Sequence, residues 1–537
     1  MDLKRMADIP MSAIWMENTL SGSTIPMAKA DIRESASVAH IFGQNIVAAE
    51  SFTSSGVGGR SYSYCPESMK YTADVALSSG LNRFVIHESS HQPDDIHRPG
   101  LDLVGYGQWF NRHETWAEEA KVWTDYLARS SFMLRQGRFM ADILYFYGED
   151  NCITGLFGHN LPEIPSGYSF DFINPYGLIN AVSPSAGHLT TRSGMDYRIL
   201  VLDPQCRTVS VPVLRRIVEI AEAGVPVCGV LPEKAASLTD NPEEFRVLIQ
   251  RLKALMMETP VAEALESTGI EPDFIAPKDW AYVHRQTPDD DIYWIRNFSG
   301  ARACATVRVK AGAGQPRVMD PATGKTRRIH SSTDDEGYRR FTLDLEENDA
   351  LFVVIGRAME EEKPVARREE VSIVTLSGPW TLSFESGRGA PDKTVFDHLM
   401  SYTESSDKDI RHYSGTVSYK KSFKLGKGEI RSSQFFAIDL GSVKNLARVY
   451  VNGHDIGTAW KTPFKLDIPQ AYLHPGKNEL EIKVYNLWVN RIIGDLQPDC
   501  QKKWTYVSSL FFTADSPLLP SGLLGPVRII GINETNE

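Results

Sequence analysis

Two glutamates close apolar runs in the N-terminal third of the chain, Glu50 in NIVAAE and Glu149 in DILYFYGE. A carboxylate at the end of a buried strand is costly to keep unless it is paired, ligated or used. Where parallel strands alternate with helices, strand ends deliver side chains to the active face. Two carboxyl groups so delivered are what glycoside hydrolysis needs, one protonated to assist the leaving oxygen and one ionised to activate water or attack carbon. The same positions suit a salt bridge or a helix cap, the commoner use of a glutamate at a strand end.

Between these acids the run HESSHQPDDIHRPG gathers His87, Glu88, His91, Asp94, Asp95 and His97. Such a mixture suits sugar-hydroxyl binding or an oxygen-ligated calcium, or else a solvated polar loop; a zinc hydrolase is not the expectation. Trp109, Trp116, Tyr147, Tyr168 and Phe172 stand near these polar runs, and the C–H faces of sugars pack on such rings when the rings are not simply core. The chain has no G-x-S-x-G nucleophile elbow and no kinase or dinucleotide fingerprint.

These residues need elements to hold them. The runs at 45–52, 81–90 and 140–149 read as buried parallel strands. The segments 66–80 and 116–137 have helical spacing, the first opening on Pro66 and closing at Gly80. We therefore expect a parallel sheet or a partial (β/α) barrel over residues 1–195. A second strand and helix block, YRILVLDP through EEFRVLIQRLKALM, predicts a flavodoxin-like α/β domain over 196–280, with no Gly-rich phosphate loop. From Trp280 the apolar period becomes two, giving a small β-sandwich over 281–356. A charged linker follows over 357–370, then a jelly roll over 371–537 whose inward positions include Val449, Val451, Ile482 and Val484.

The bulk composition agrees with a multidomain α/β plus all-β protein. At 537 residues the chain exceeds one core, and 42% hydrophobic with 23% charged residues is ordinary for a folded protein. A formal net charge of −11 argues against nucleic acid or an anionic membrane as partner. Six scattered cysteines form no C-x-x-C pair. No apolar run is long enough to span a membrane. The first residues lack the apolar core of a secretory signal, so localisation stays open, with export depending on any upstream segment.

The continuous run from HESSHQ at 87 to YFYGED at 150 resembles glycoside hydrolase family 106, the inverting α-L-rhamnosidases. ADIPMSAIW, VAAESFTSSG, IPSGYSFDFIN and SGMDYRILVL are similar to that family's neighbouring segments. YSGTVSYKKSF, ARVYVNGHDIGTAW and VYNLWVNRIIGD are similar to the galactose-binding-like jelly roll that this family shares with many family 2 enzymes. The resemblance implies removal of terminal α-L-rhamnose from a rhamnose-containing oligosaccharide or polysaccharide, often with calcium. It implies Glu50 and Glu149 as the acid and base pair, His87, His91 and Asp171 on sugar or metal, and Trp109 and Tyr168 on substrate. It also implies that the N-terminal part of the barrel is missing. Alternatives are a truncated protein that only binds carbohydrate and another glycosidase of β-galactosidase-like type.

Overall fold

The computed structural model describes residues 1–16, 25–55, 61–104, 106, 110–149, 151–358 and 366–536. Its first unit is a parallel sheet of β1 (Met11–Trp15), β2 (Ala48–Thr53) and β3 (Arg83–Ile86) in that order. Helix α1 (Ile25–Phe42) connects β1 to β2, and α2 (Pro66–Ser78) connects β2 to β3. Pro66 suits the first turn of α2, where its missing N–H would have had no partner, and Ser68 accepts the Cys65 N–H at 2.9 Å. The helix stops at Gly80, whose φ of +106° favours glycine and where a Cβ would lie 2.6 Å from that of Ala36 on α1.

Ile32, Ala36, Ala39, Val75 and Ala76 of the two helices bury Ile14 of β1 and Ala49 of β2. Strand alternation then turns the next residues to the opposite face. Ala13, Glu50 and Val85 sit side by side there in register.

A second parallel sheet contains β4 (Ile143–Phe146), β5 (Phe170–Ile173), β6 (Ile199–Leu202) and β7 (Val227–Gly229), ordered β7-β6-β4-β5. Every residue of β4, β5 and β6 is buried, as expected for parallel strands covered on both faces. The expected boundary at residue 195 therefore falls inside this sheet. The strands of 143–146 and 170–173 belong with the flavodoxin-like block, because an apolar run carries no mark of the sheet it will join. Helix α1 also reaches this sheet, where the Phe172 N–H donates to Ser37 Oγ at 2.8 Å.

The antiparallel sandwich forms from two sheets, with Arg138–Phe139 adding a strand to Trp280–Gln286. The jelly roll begins earlier than expected. Strand Ala366–Thr375 occupies the end of the segment read as linker, pairing with Arg528–Asn536; residues 359–365 lie outside the described set. Val449, Val451, Ile482 and Val484 are fully buried in the jelly-roll core, as their alternation predicts. Among the described residues no helix is long and apolar enough to cross a membrane.

Asp74 on α2 ties these units together. Its Oδ2 accepts from Lys70 Nζ at 2.6 Å and from Arg296 Nε of the sandwich at 2.8 Å, while Tyr126 of α3 (Lys121–Met133) donates to Oδ1. Asp74, Arg296 and Tyr126 are fully buried. Removing one partner from such a buried cluster leaves uncompensated charge, a loss of about 3–5 kcal/mol. We predict that loss for Asp74→Ala in urea unfolding, with the first unit and sandwich melting together; wild-type stability would contradict the linkage.

Candidate functional site

Of the sequence-derived candidates, Glu50 and His87 share the first sheet. Glu50 is half-buried on the face away from α1 and α2, and is the one carboxylate on β1, β2 and β3. Thr53 Oγ1 donates to its Oε1 at 2.7 Å, which fixes one oxygen as an acceptor and leaves the other free of protein donors among the described residues. His87 follows β3, with its N–H on the Ser51 carbonyl at 3.0 Å and its Nδ1 buried without a hydrogen-bond partner among the described residues. The Glu88 carboxylate accepts from Ser90 Oγ, and its carbonyl takes the Phe110 N–H at 3.0 Å.

Sequence reasoning missed two aromatics at this end of the sheet. Trp15 closes β1, and Tyr106 meets it edge-on with centroids 6.2 Å apart while bridging to Ser55 beyond β2. The alternation of MSAIW places Trp15 on the same face as Ala13, a signal available in the sequence. Tyr106 is brought there by a loop, which no periodicity announces. β1 and β3 are the outer strands of the sheet, and each has one edge unpaired among the described residues.

Several expectations do not survive the geometry. Glu149 follows β4, so it and Glu50 do not project from neighbouring strands of one sheet. Its Oε1 accepts from Ser210 N at 2.7 Å and Ser210 Oγ at 2.8 Å, at the residue capping α4 (Val211–Glu222). Both bonds tie Glu149 to the residue that precedes α4. Asp171 is fully buried in β5, held by His40 Nδ1 at 2.9 Å and the Tyr197 hydroxyl at 2.9 Å, and presents no free oxygen to a sugar. Tyr168 donates to the Ile270 carbonyl at 2.7 Å and lines an aromatic cavity with Phe170, Phe274, Trp280 and Tyr282, against the sandwich rather than the first sheet. Trp116 and Phe172 are core, and Trp109 lies outside the described residues.

Residues 87–91 have the H-E-x-x-H spacing, so the expectation against zinc finds no support in the spacing itself. That motif holds zinc by placing both histidines on one helix face. Here the residues form an irregular loop and His91 is exposed. Asp94 is committed to the Ile96 and His97 N–H groups and the His97 ring, and Asp95 to Arg112 and His113. Among the described residues no three His, Cys, Asp or Glu side chains are grouped to hold a metal. The expected calcium enters no step below.

The jelly roll is fastened to the mouth of the first sheet. Asp495 accepts from Arg491 Nε (3.0 Å), Trp504 N (2.8 Å), Thr505 N (2.7 Å) and Thr505 Oγ1 (2.6 Å). The loop so held pairs Tyr506–Val507 with Pro99–Gly100, and Ser509 Oγ donates to Asp102 at 2.7 Å. Nearby, buried Glu119 accepts from Arg448 at 3.0 Å, Tyr485 at 3.1 Å and Thr458. A cleft of about 400 Å³ opens between Arg98, residues 112–118 and the jelly roll. Glu114 lines it, with Oε1 on Thr115 N at 2.9 Å and Oε2 buried without a partner; burial pushes its carboxyl up to about 8.

An acid presented on a parallel sheet beside two aromatic rings, with a jelly roll fastened nearby, is an arrangement suited to carbohydrate chemistry. The comparisons make this specific. The α-L-rhamnosidase model of glycoside hydrolase family 106 matches residues 1–333, and the family 2 glycosyl hydrolase sugar-binding domain matches 360–508. The chain belongs to glycoside hydrolase family 106. It is similar to the solved rhamnosidase of Novosphingobium sp. PP1Y, at 35% identity and a TM-score of 0.91 over 99% of this chain and 52% of that one. A protein of Formosa agariphila named a putative beta-glucuronidase is 25% identical over 92% of this chain and 63% of its own length. The chain thus spans about half the length of the solved relative.

Two outcomes test the site's division of labour. Replacing Glu149 by Ala should cost about 1 kcal/mol, the usual worth of a lost cap, in chemical unfolding and leave glycoside turnover unchanged; a hundredfold loss of turnover would return Glu149 to the chemistry. Folded Glu114 keeps its proton up to about 8 against an ordinary value of 4.5. The folded state therefore binds more protons between those pH values, and stability should fall as pH rises through that window, then level off. Glu114→Gln should flatten that slope in pH-dependent melting; an unchanged slope would contradict it.

Proposed function

We propose that this chain is the part of an α-L-rhamnosidase that carries one catalytic carboxylate, Glu50, and the glycan-handling jelly roll. The observation that supports this most is Glu50 itself, the sole acid on the three parallel strands, facing away from the helices in a chain alike over 99% of its length to a rhamnosidase. Parallel sheets are ordinarily covered on both faces and closed or extended at their edges. The open edges of β1 and β3 suit further strands that complete a barrel around the Glu50 face and bring the second carboxylate.

In an inverting hydrolysis one carboxylic acid protonates the departing oxygen while a carboxylate on the other side of the sugar ring takes a proton from water, the two standing roughly 6.5–9.5 Å apart. Glu50 suits the second role. Thr53 holds Oε1 as an acceptor and leaves Oε2 to receive the water's proton as its oxygen attacks the anomeric carbon. Trp15 and Tyr106 supply ring faces for the apolar side of a 6-deoxy sugar, and His87 Nδ1 is a buried polar atom with no protein partner to occupy it. A second reading is glycan binding without turnover, favoured by the absence of another acid on β1, β2 and β3.

The test is hydrolysis of aryl α-L-rhamnoside and aryl β-D-glucuronide by the natural full-length protein. Turnover of the rhamnoside is expected, with Glu50→Gln slower by about 10² to 10⁴, the worth of a general base. An activated leaving group, which needs little protonation, should not rescue this variant. Preference for the glucuronide would overturn the substrate, and full activity in Glu50→Gln would overturn the residue. Binding of rhamnosides with no turnover would establish the second reading.

A further inference from the structure

The outer face of the jelly roll's larger sheet carries a polar track that the proposed hydrolysis does not use. Strands β8 (Trp380–Phe384), β9 (Thr416–Leu425), β10 (Leu446–Val451) and β11 (Gly476–Tyr485) lie in one sheet, ordered β8-β9-β11-β10. Their pairing aligns Thr381, Lys420, Glu481 and Tyr450 in one row across the strands. Ser383, Ser418, Lys483 and Arg448 form the next row. Leu382, Tyr419, Ile482 and Val449 alternate with these rows and are fully buried on the other side, so both rows face outward.

A groove of about 750 Å³ runs over this face, lined by Lys420, Lys421, Lys477, Lys483 and the Tyr450 ring. Lys483 also lines the 400 Å³ cleft, together with Arg98, Arg112 and Arg388. Lys483 belongs to both.

The charge runs against the molecule as a whole, which carries a formal −11. Acids are present as well. Lys420 pairs with Glu481 at 3.3 Å, Lys477 with Glu479 at 3.0 Å, Arg388 with Glu385 at 3.1 Å and Arg112 with Asp95 at 2.6 Å, while Glu118 is exposed at the rim. Lys483 and Arg98 have no ion pair among the described residues. Lys483 Nζ stands 5.2 Å from the centre of the Tyr450 ring, and Arg98 Nε donates to the Asp95 carbonyl at 2.9 Å. The deep end of the cleft holds Glu114, nine-tenths buried with Oε2 unpartnered. Lys483 and Arg98, neither in an ion pair among the described residues, and the Tyr450 ring form a receptor for a sugar bearing a negative group.

We propose that this groove and cleft hold an anionic segment of the glycan chain, its carboxylate or sulfate between Lys483 and Arg98. The proposal rests on the glycan-processing reading of the chain but not on where or whether the bond is cut.

Isothermal titration of the full-length protein with oligogalacturonate, with a sulfated oligosaccharide and with a neutral oligosaccharide of the same length provides the test. Wild type should bind at least one anionic glycan at least tenfold tighter than the neutral one, and the stronger of the two identifies the anion. The double variant Lys483→Ala, Arg98→Ala should lose that preference, whereas Lys253→Ala, an exposed lysine at the end of the helix Pro242–Lys253, should keep it. Melting temperature checks folding, and the single variant Lys483→Gln serves if the double variant does not fold. Equal affinity for neutral and anionic glycans, no binding of either anion, or full preference in the double variant would overturn the proposal. Aryl rhamnoside turnover reports separately on Glu50, because an aryl group brings no anionic glycan to the groove.

Discussion

Two cations sharing one buried carboxylate hold the architecture together. Asp74 lies on the second helix of the parallel unit, Arg296 on a sandwich strand and Tyr126 on α3, so the polar cluster joins pieces that the sequence separates by over two hundred residues. Desolvating these groups is expensive, and a well-packed apolar cluster of similar volume is often as stable. What the ions add is geometry. A guanidinium accepts few orientations, and here Arg296 also donates to Asn348 at 3.0 Å and to the Asn297 carbonyl at 3.0 Å, while Lys70 donates to the Asn348 carbonyl at 2.8 Å. The sandwich is thereby fixed against α2, and α2 packs beneath the strand that carries Glu50.

The same design recurs where the jelly roll meets the parallel sheet. Asp495 and Glu119 are both nearly inaccessible, and each accepts several donors from a neighbouring segment. Asp495 shapes a jelly-roll loop into a strand that the mouth loop can pair with, and Glu119 clamps the mouth helix onto the jelly-roll strands. The jelly roll is thus part of the wall around the site. Its cationic outer face shares Lys483 with the cleft that Arg98 and Arg112 line.

Much of this was legible in the sequence, and the illegible part has a physical cause. Alternation in ARVYV and NELEIKVY placed Val449, Val451, Ile482 and Val484 in the jelly-roll core, because a period of two has one meaning when one face is buried. The parallel strands were recognisable as strands, but their partners were not. ILYF and FDFI are apolar on both faces, so nothing in them distinguishes the first sheet from the second, and Glu149 and Asp171 were carried to the wrong one. Glu149 illustrates the ambiguity of a strand-end acid, since a catalytic base and a helix cap have the same residue type and the same local pattern. Tyr106 and the Glu114 cleft depend on loops and on contacts between distant domains, for which sequence spacing holds no record.

The central proposal is that the Glu50 face belongs to a two-carboxylate hydrolase that inverts the anomeric centre of α-L-rhamnose. Proton NMR of the first sugar released from an aryl α-L-rhamnoside by the full-length protein tests it directly, before mutarotation mixes the anomers. Early appearance of β-L-rhamnose is predicted. Early appearance of the α anomer would require a covalent intermediate and a carboxylate separation of about 5–5.5 Å, and would contradict the account.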